Sequence, residues 1–194
     1  MIEEILKLDS KLFLYLNNLG TSKFDIFWIS LSKIEANILM YLFLILLFFY
    51  NQKIRPKLIY IFYFFFVIAL MIIITDQGAN IFKDSFQRLR PCYNESIIDS
   101  LRLVKENCGG KYGFFSAHAS NSFSLAIFFG LLFINRISYI IMITIVYASL
   151  ISYSRIYLGV HYPIDIIFGS FFGIFVGFVT VSYTHLRAHE TPRY

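Results

Sequence analysis

The chain is poor in charge. Its 17 Lys and Arg and 12 Asp and Glu are 15% of 194 residues, well under the roughly 25% of an ordinary soluble domain. It has four prolines, two cysteines and a single tryptophan, and no Ser-, Gly- or Pro-rich stretch that could serve as a linker. That shortage excludes a string of domains and predicts one domain over residues 1–180. Two cysteines also exclude a dense disulfide framework or a Cys-rich metal centre. The opening MIEEILKLDSKLFLYLNNLG starts acidic and lacks a small-residue cleavage site, so no secretory leader is expected. The formal charge is +5, yet the basic residues are scattered in short segments between apolar runs. That scatter argues against nucleic acid and for lipid head groups or phosphates as partners.

What the chain has in abundance is apolar surface: 58% hydrophobic and 20% aromatic residues, with a mean hydropathy of +0.66. Bilayer hydrocarbon needs about 20 apolar residues in a helix. On that rule the sequence predicts an all-α, polytopic membrane helix bundle with about five spans, near 29–50, 57–82, 117–134, 137–154 and 164–180. Ile5, Leu8, Leu12, Leu16 and Leu19 recur at helical spacing among polar residues, which predicts an N-terminal helix lying in the membrane interface. The connection NQKIRPK holds Lys53, Arg55 and Lys57 with no acid, and Arg136 follows the third span, so these ends are expected in the cytoplasm. The long segment from Lys83 to Phe115 and the stretch SRIYLGVH then face outward. That segment has six basic residues, Lys83, Arg88, Arg90, Arg102, Lys105 and Lys111, against four acids. Function is the expected reason for so many.

Three polar patches stand out against this background. KDSFQRLRP contains Lys83, Arg90 and Pro91; FFSAHAS contains Ser116 and His118; SRIYLGVHYPID contains Ser154, Arg155, His161 and Asp165. Parity of the spans puts all three at one membrane face, whichever way the protein sits. A phosphoryl group in its transition state spreads negative charge over three equatorial oxygens. It calls for fixed cationic donors, a nucleophile and an acid for the leaving oxygen, and this set supplies each.

The three patches resemble the signature of the type 2 phosphatidic acid phosphatase family, a lipid phosphate phosphatase group that shares its site with vanadium haloperoxidases. The family pattern is K, six residues, R-P; then P-S-G-H; then S-R, five residues, H, three residues, D. The first and third parts match in full, while Phe115 and Ala117 stand where the second has proline and glycine. The resemblance covers about residues 29–180. It implies that His161 attacks phosphorus and becomes a phosphohistidine, that Asp165 orients it, and that His118 protonates the leaving oxygen and then activates water. Lys83, Arg90, Ser116 and Arg155 would hold the phosphate, with no metal and no cofactor. The implied enzyme is a metal-independent hydrolase of a lipid phosphate or pyrophosphate, undecaprenyl pyrophosphate being the first candidate. It would act at the extracytoplasmic face of a bacterial inner membrane. The alternative is a non-enzymatic membrane protein that binds anionic lipid head groups. The membrane spans argue against a peroxidase.

Other features carry less. Asp76, Asn80 and Lys83 share a helix face, which suits either bundle packing or support of the site. Gly169, Gly173 and Gly177 recur every four residues, as close helix packing in lipid requires. Cys92 and Cys108 share the outward segment, where an oxidising compartment permits a disulfide; two independent thiols are the alternative. Nothing in the sequence fixes an oligomeric state. The ending VSYTHLRAHETPRY begins as the translation of a transposase-based sequencing-library adapter. Residues 181–194 are therefore expected to be an artefact rather than a domain, and His185 and His189 are not taken as metal ligands.

Overall fold

A computed structural model describes residues 1–50, 57–105 and 107–190. Within them the helices are α1 (Ile2–Asn18), α2 (Asp25–Leu31), α3 (Ile34–Tyr50), α4 (Leu58–Phe86), α5 (Ala117–Phe133), α6 (Ile140–Tyr157) and α7 (Pro163–Glu190). The segment between α4 and α5 has single helical turns at Pro91–Tyr93 and Ile98–Ser100 and one isolated bridge between Leu89 and Tyr112. The protein is an all-α bundle. Lys53 and Arg55, on which part of the orientation argument rests, lie outside the described residues, as do residues 191–194 and the side chains of His185 and His189.

The apolar helices α3 to α7 fall at the five places where spans are expected. Three stretches are long and apolar enough to cross a membrane: Leu58–Phe86, Ile140–Tyr157 and Pro163–Thr184. The apolar helices Asn37–Tyr50 and Ala117–Phe133 are shorter. On α7, Phe168, Phe171, Phe175 and Phe178 are each more than half exposed, a continuous apolar face that only lipid would solvate without penalty. The chain is an integral membrane protein.

α7 continues ten residues past the expected end at 180, to Glu190, and two other boundaries differ from expectation for physical reasons. The first expected span, 29–50, is divided at Ser32, whose amide closes α2 on the Trp28 carbonyl and whose hydroxyl accepts a hydrogen bond from the Arg155 guanidinium. The second runs past residue 82 to Phe86, so that Lys83 is held on a helix rather than in a loop. Gln87 ends α4 in the left-handed conformation, with its N–H on the Lys83 carbonyl, a common helix stop.

The bundle is centred on α5, which packs most extensively on α7, then on α6 and α4. The α5–α7 contact is close because glycine lies under each serine. A Cβ built on Gly169 would sit 2.6 Å from the Ser116 carbonyl oxygen, and one on Gly177 would sit 2.5 Å from that of Ser124. Gly173 meets Ser120 in the same way. Backbones can approach this far only where no side chain intervenes. Away from the site, Leu44, Met71, Phe128, Phe129, Phe133 and Val176 form the main apolar core. Val181, the first residue of the adapter-like ending, is buried there as well.

α1 has two faces. Ile5, Leu8, Leu12 and Leu19 of the expected interfacial stripe are exposed. On the adjoining face Asp9, Phe13 and Asn17, spaced by four, are buried, and Leu16 of the stripe packs beside Phe13. The helix thus offers one face outward and docks the other onto the polar end of the bundle.

Candidate active site

Three chain segments converge on that end. After Gln87 the backbone pairs with residues 111–113: the Arg90 amide donates to the Lys111 carbonyl at 3.1 Å and the Gly113 amide to the Arg88 carbonyl at 2.8 Å. This pairing carries Phe114 and Phe115 back to the start of α5. There Ser116 is the N-cap, its hydroxyl accepting from the Ala119 amide at 3.4 Å, and its own amide donates to the Asp165 carbonyl at 3.0 Å. The third segment comes from α6, which ends in a tight turn. Gly159 has φ +80°, a value that favours glycine, and the amides of Val160 and His161 fold back onto the Arg155 carbonyl at 3.1 and 3.3 Å. Pro163 then starts α7, where its missing N–H costs nothing.

The sequence-predicted residues meet here. His161 is 2% exposed. Its Nδ1 lies 3.5 Å from Asp165 Oδ2 and against the Gly113 backbone, with no hydrogen bond of ordinary geometry. The expected ring N–H to carboxylate bond is therefore long. Asp165 Oδ2 is instead taken by the Tyr162 amide at 3.0 Å. Burial, reinforced by the nearby charges of Arg90, Arg155 and Lys83, pushes the His161 pKa well below its ordinary value. Arg155 is buried, with one terminal nitrogen on Ser32 and its Nε unpartnered. Arg90 is anchored by two loop carbonyls, Nε to Tyr112 at 3.1 Å and Nη1 to Cys108 at 2.8 Å. Lys83 is half-buried and held by Asn80 at 3.3 Å. His118, in the first turn of α5, is half-buried and within electrostatic reach of Arg155 and His161.

The departures from the family signature have a visible setting. Phe115 packs between the rings of Phe82 and Phe172, at 5.1 and 5.2 Å. Ala117 is the first residue of α5. Cys92 and Cys108 are joined, with Cα atoms 6.5 Å apart, which ties the loop carbonyl that holds Arg90. Asp76 accepts from the Asn121 amide at 2.8 Å, so it links α4 to α5 about two turns from Lys83.

Sequence reasoning missed Arg88 and Asp9. Arg88 donates from Nη1 to Asp165 Oδ1 at 2.7 Å and from Nη2 to Asp9 Oδ2 at 2.5 Å, and its guanidinium lies over the Tyr162 ring at 4.1 Å. Asp9 also accepts from the Ile164 amide at 3.0 Å. Burial raises the Asp9 pKa, Arg88 opposes the rise, and Asp165 adds to it. Asn17 was missed too. Its amide nitrogen reaches the carbonyls of Ile156, Tyr157 and Arg102 at 3.0–3.1 Å, and its oxygen accepts from the Arg102 amide. α1 is thus fastened to the end of α6 and the start of α7. A signal was present: Asp9, Phe13 and Asn17 make a helical stripe beside the leucines.

A family model described as the PAP2 superfamily matches residues 64–188. The chain belongs to the PAP2 superfamily. It is 34% identical over 189 residues to a lipid A 4'-phosphatase of Porphyromonas gingivalis, an alignment covering 96% of this chain and 78% of that protein. A lipid A 4'-phosphatase of Bacteroides thetaiotaomicron is also 34% identical, over 95% and 80%. Two solved PAP2-type folds resemble it. Aquifex aeolicus LpxE has a TM-score of 0.66 at 24% identity, covering 89% of this chain and 94% of that one. A transmembrane phosphatidylglycerolphosphate phosphatase of Bacillus subtilis has a TM-score of 0.69 at 15% identity, covering 94% and 87%. The protein is a membrane enzyme of PAP2 type, a lipid phosphatase that needs no metal.

Proposed function

We propose that the enzyme removes a phosphate monoester from a lipid A-type saccharolipid, through a phosphohistidine on His161, at the extracytoplasmic face of a bacterial inner membrane. The observation that carries the mechanism is the setting of His161. It is buried, with Nδ1 turned toward Asp165 at 3.5 Å and Lys83, Arg90 and Arg155 around it. A depressed pKa keeps the imidazole neutral near pH 7, so Nε2 has a lone pair to offer.

In the first step the Nε2–P bond forms and the P–O bond to the lipid breaks, with His118 giving its proton to the departing oxygen. The three cations and the N-terminal amides of α5 take the charge that builds on the equatorial oxygens. Asp165 faces the imidazolium formed by the attack. In the second step His118 takes a proton from water, oxygen bonds to phosphorus, and the N–P bond breaks to release inorganic phosphate and neutral His161. Lys57 before α4 and Arg136 after α5 lie at the opposite ends of those helices from the site, which supports an outward-facing site by the distribution of basic residues. The relatives' named substrate favours a lipid A-type phosphate over the undecaprenyl pyrophosphate first suggested by the motifs.

Purified protein in detergent, given a lipid A-type phosphate, phosphatidate, phosphatidylglycerophosphate and undecaprenyl pyrophosphate, should release phosphate fastest from the first, with chelator present. His161→Ala should abolish release without altering the unfolding midpoint. Unchanged release from that variant would defeat the mechanism, and a preference for undecaprenyl pyrophosphate would defeat the substrate assignment.

A further inference from the structure

Of the basic residues between Lys83 and Phe115, the site absorbs Lys83 and Arg90, the two buried aspartates absorb Arg88, and Asp25 absorbs Arg102 at 2.7 Å. Lys105 has no such assignment in the chemistry above. It lines a cavity of about 300 Å³ together with His118, Ser32, Lys33, Glu35 and the apolar side chains of Ile29 and Leu158. His118 is one wall, so on the proposed mechanism the cavity lies where the alcohol departs. Among the described residues its charged lining is two ammonium groups against one carboxylate, beside apolar side chains.

We propose that this cavity is a leaving-group subsite in which Lys33 and Lys105 bind a second anionic group, a phosphate or phosphodiester, carried by the headgroup of the same lipid. The inference rests on the proposed role of His118. Both lysines are exposed, as ligand-reading side chains at a cavity mouth must be. Burial and the neighbouring charges of Arg155 and Arg90 push the Lys105 pKa down, so its ammonium sits in an environment that an arriving anion would relieve. The size also fits, because about 300 Å³ is at the small end of ligand pockets, enough for one sugar ring or a glycerophosphate unit but not for acyl chains.

The test uses matched substrate pairs in neutral detergent micelles at low salt. One pair is an acylated glucosamine disaccharide with two phosphates and the same lipid with only the scissile one. The other is phosphatidylglycerophosphate and phosphatidate. Lys33→Ala and Lys105→Ala should each lower kcat/KM about fivefold for the member with two anionic groups, as partly solvated ion pairs do, and leave the member with only the scissile phosphate within twofold. Lys105→Arg should keep the preference. An equal loss on both members would place Lys105 at the scissile phosphate and overturn the proposal, as would no loss on either. Anionic detergent additives that speed the monophosphate through Lys105 would show a neighbouring lipid in the cavity and overturn it too. Turnover of the glycerolipid pair alone would sink the saccharolipid assignment while still testing the lysines. A wild-type protein inert on all four would sink both.

Discussion

Replacing Arg88 with methionine keeps the length of the side chain and removes the charge shared by Asp9 and Asp165. Both carboxylates are buried, at 4% and 0% exposure, and each contacts the guanidinium at 2.5–2.7 Å. Unit charges about 4 Å apart attract by about 4 kcal/mol at an effective dielectric of 20. Two such pairs roughly offset the several kcal/mol spent in drying each ion. The intact trio therefore adds little net stability, but deleting its centre strands two like charges. Arg88→Met should cost about 3–5 kcal/mol, the range for breaking a buried pair. Adding Asp9→Asn removes one stranded charge while the amide oxygen still accepts from Ile164, so the double variant should be about 1–2 kcal/mol more stable than Arg88→Met alone. Unfolding midpoints in a fixed detergent would measure the cycle. Arg88 acts through Asp165, so kcat should fall at least tenfold with KM little changed, and Arg88→Lys should recover part of it; a difference of 1.4 kcal/mol at the transition state is tenfold. An additive cycle, or a variant with wild-type kcat, would refute the account of Arg88 as the residue that positions Asp165.

Asn17→Ala should cost about 2–3 kcal/mol, since it unpartners buried backbone groups at the end of α6; an unchanged midpoint would mean that α1 does not hold the site together. Gly173→Leu should prevent a monodisperse, folded product by forcing a side chain into the α5 backbone at Ser120, whereas Gly110→Ala, with nothing within 4 Å, should be silent by gel filtration. Stability should also fall on acidification. Unfolded histidine titrates near pH 6.5 and folded His161 well below it. As pH drops past about 6.5, the unfolded chain therefore binds a proton that the native site refuses, costing up to about 1.4 kcal/mol per pH unit. His161→Asn should lack that component of the slope, and identical slopes in the two proteins would contradict the depressed pKa.

The helices were legible in the sequence because lipid imposes a simple rule: a run of apolar residues long enough to span must be helical. That rule located α3 to α6 and the start of α7 within a few residues. It misjudged where a helix ends for a reason the rule does not contain. The break at Ser32 follows from a hydroxyl that Arg155 claims across more than 120 positions of chain, and hydropathy cannot see such a partner. The leucine stripe of α1 was legible as a face for the membrane interface, and all of it but Leu16 is exposed. The buried stripe of the same helix shows the four-residue spacing in the sequence, but its burial does not follow from it, because an aspartate and an asparagine on a surface helix normally stay in water.

The site divides in the same way. Lys83, Arg90, Ser116, His118, Arg155, His161 and Asp165, the proposed site, could be nominated from the sequence because they are residue types that phosphoryl transfer uses, set in three spaced motifs. Arg88 and Asp9 could not, since their task is set by the protein rather than by phosphate. A carboxylate facing a buried imidazole must be anionic when that imidazole gains charge, and burial works against the anion. Arg88 stands where it can hold Asp165 ionised, and Asp9 balances the excess positive charge that Arg88 would bring into a pocket already holding three cations. On this argument the N-terminal helix belongs to the electrostatics of the site as well as to its packing, through one carboxylate at position 9.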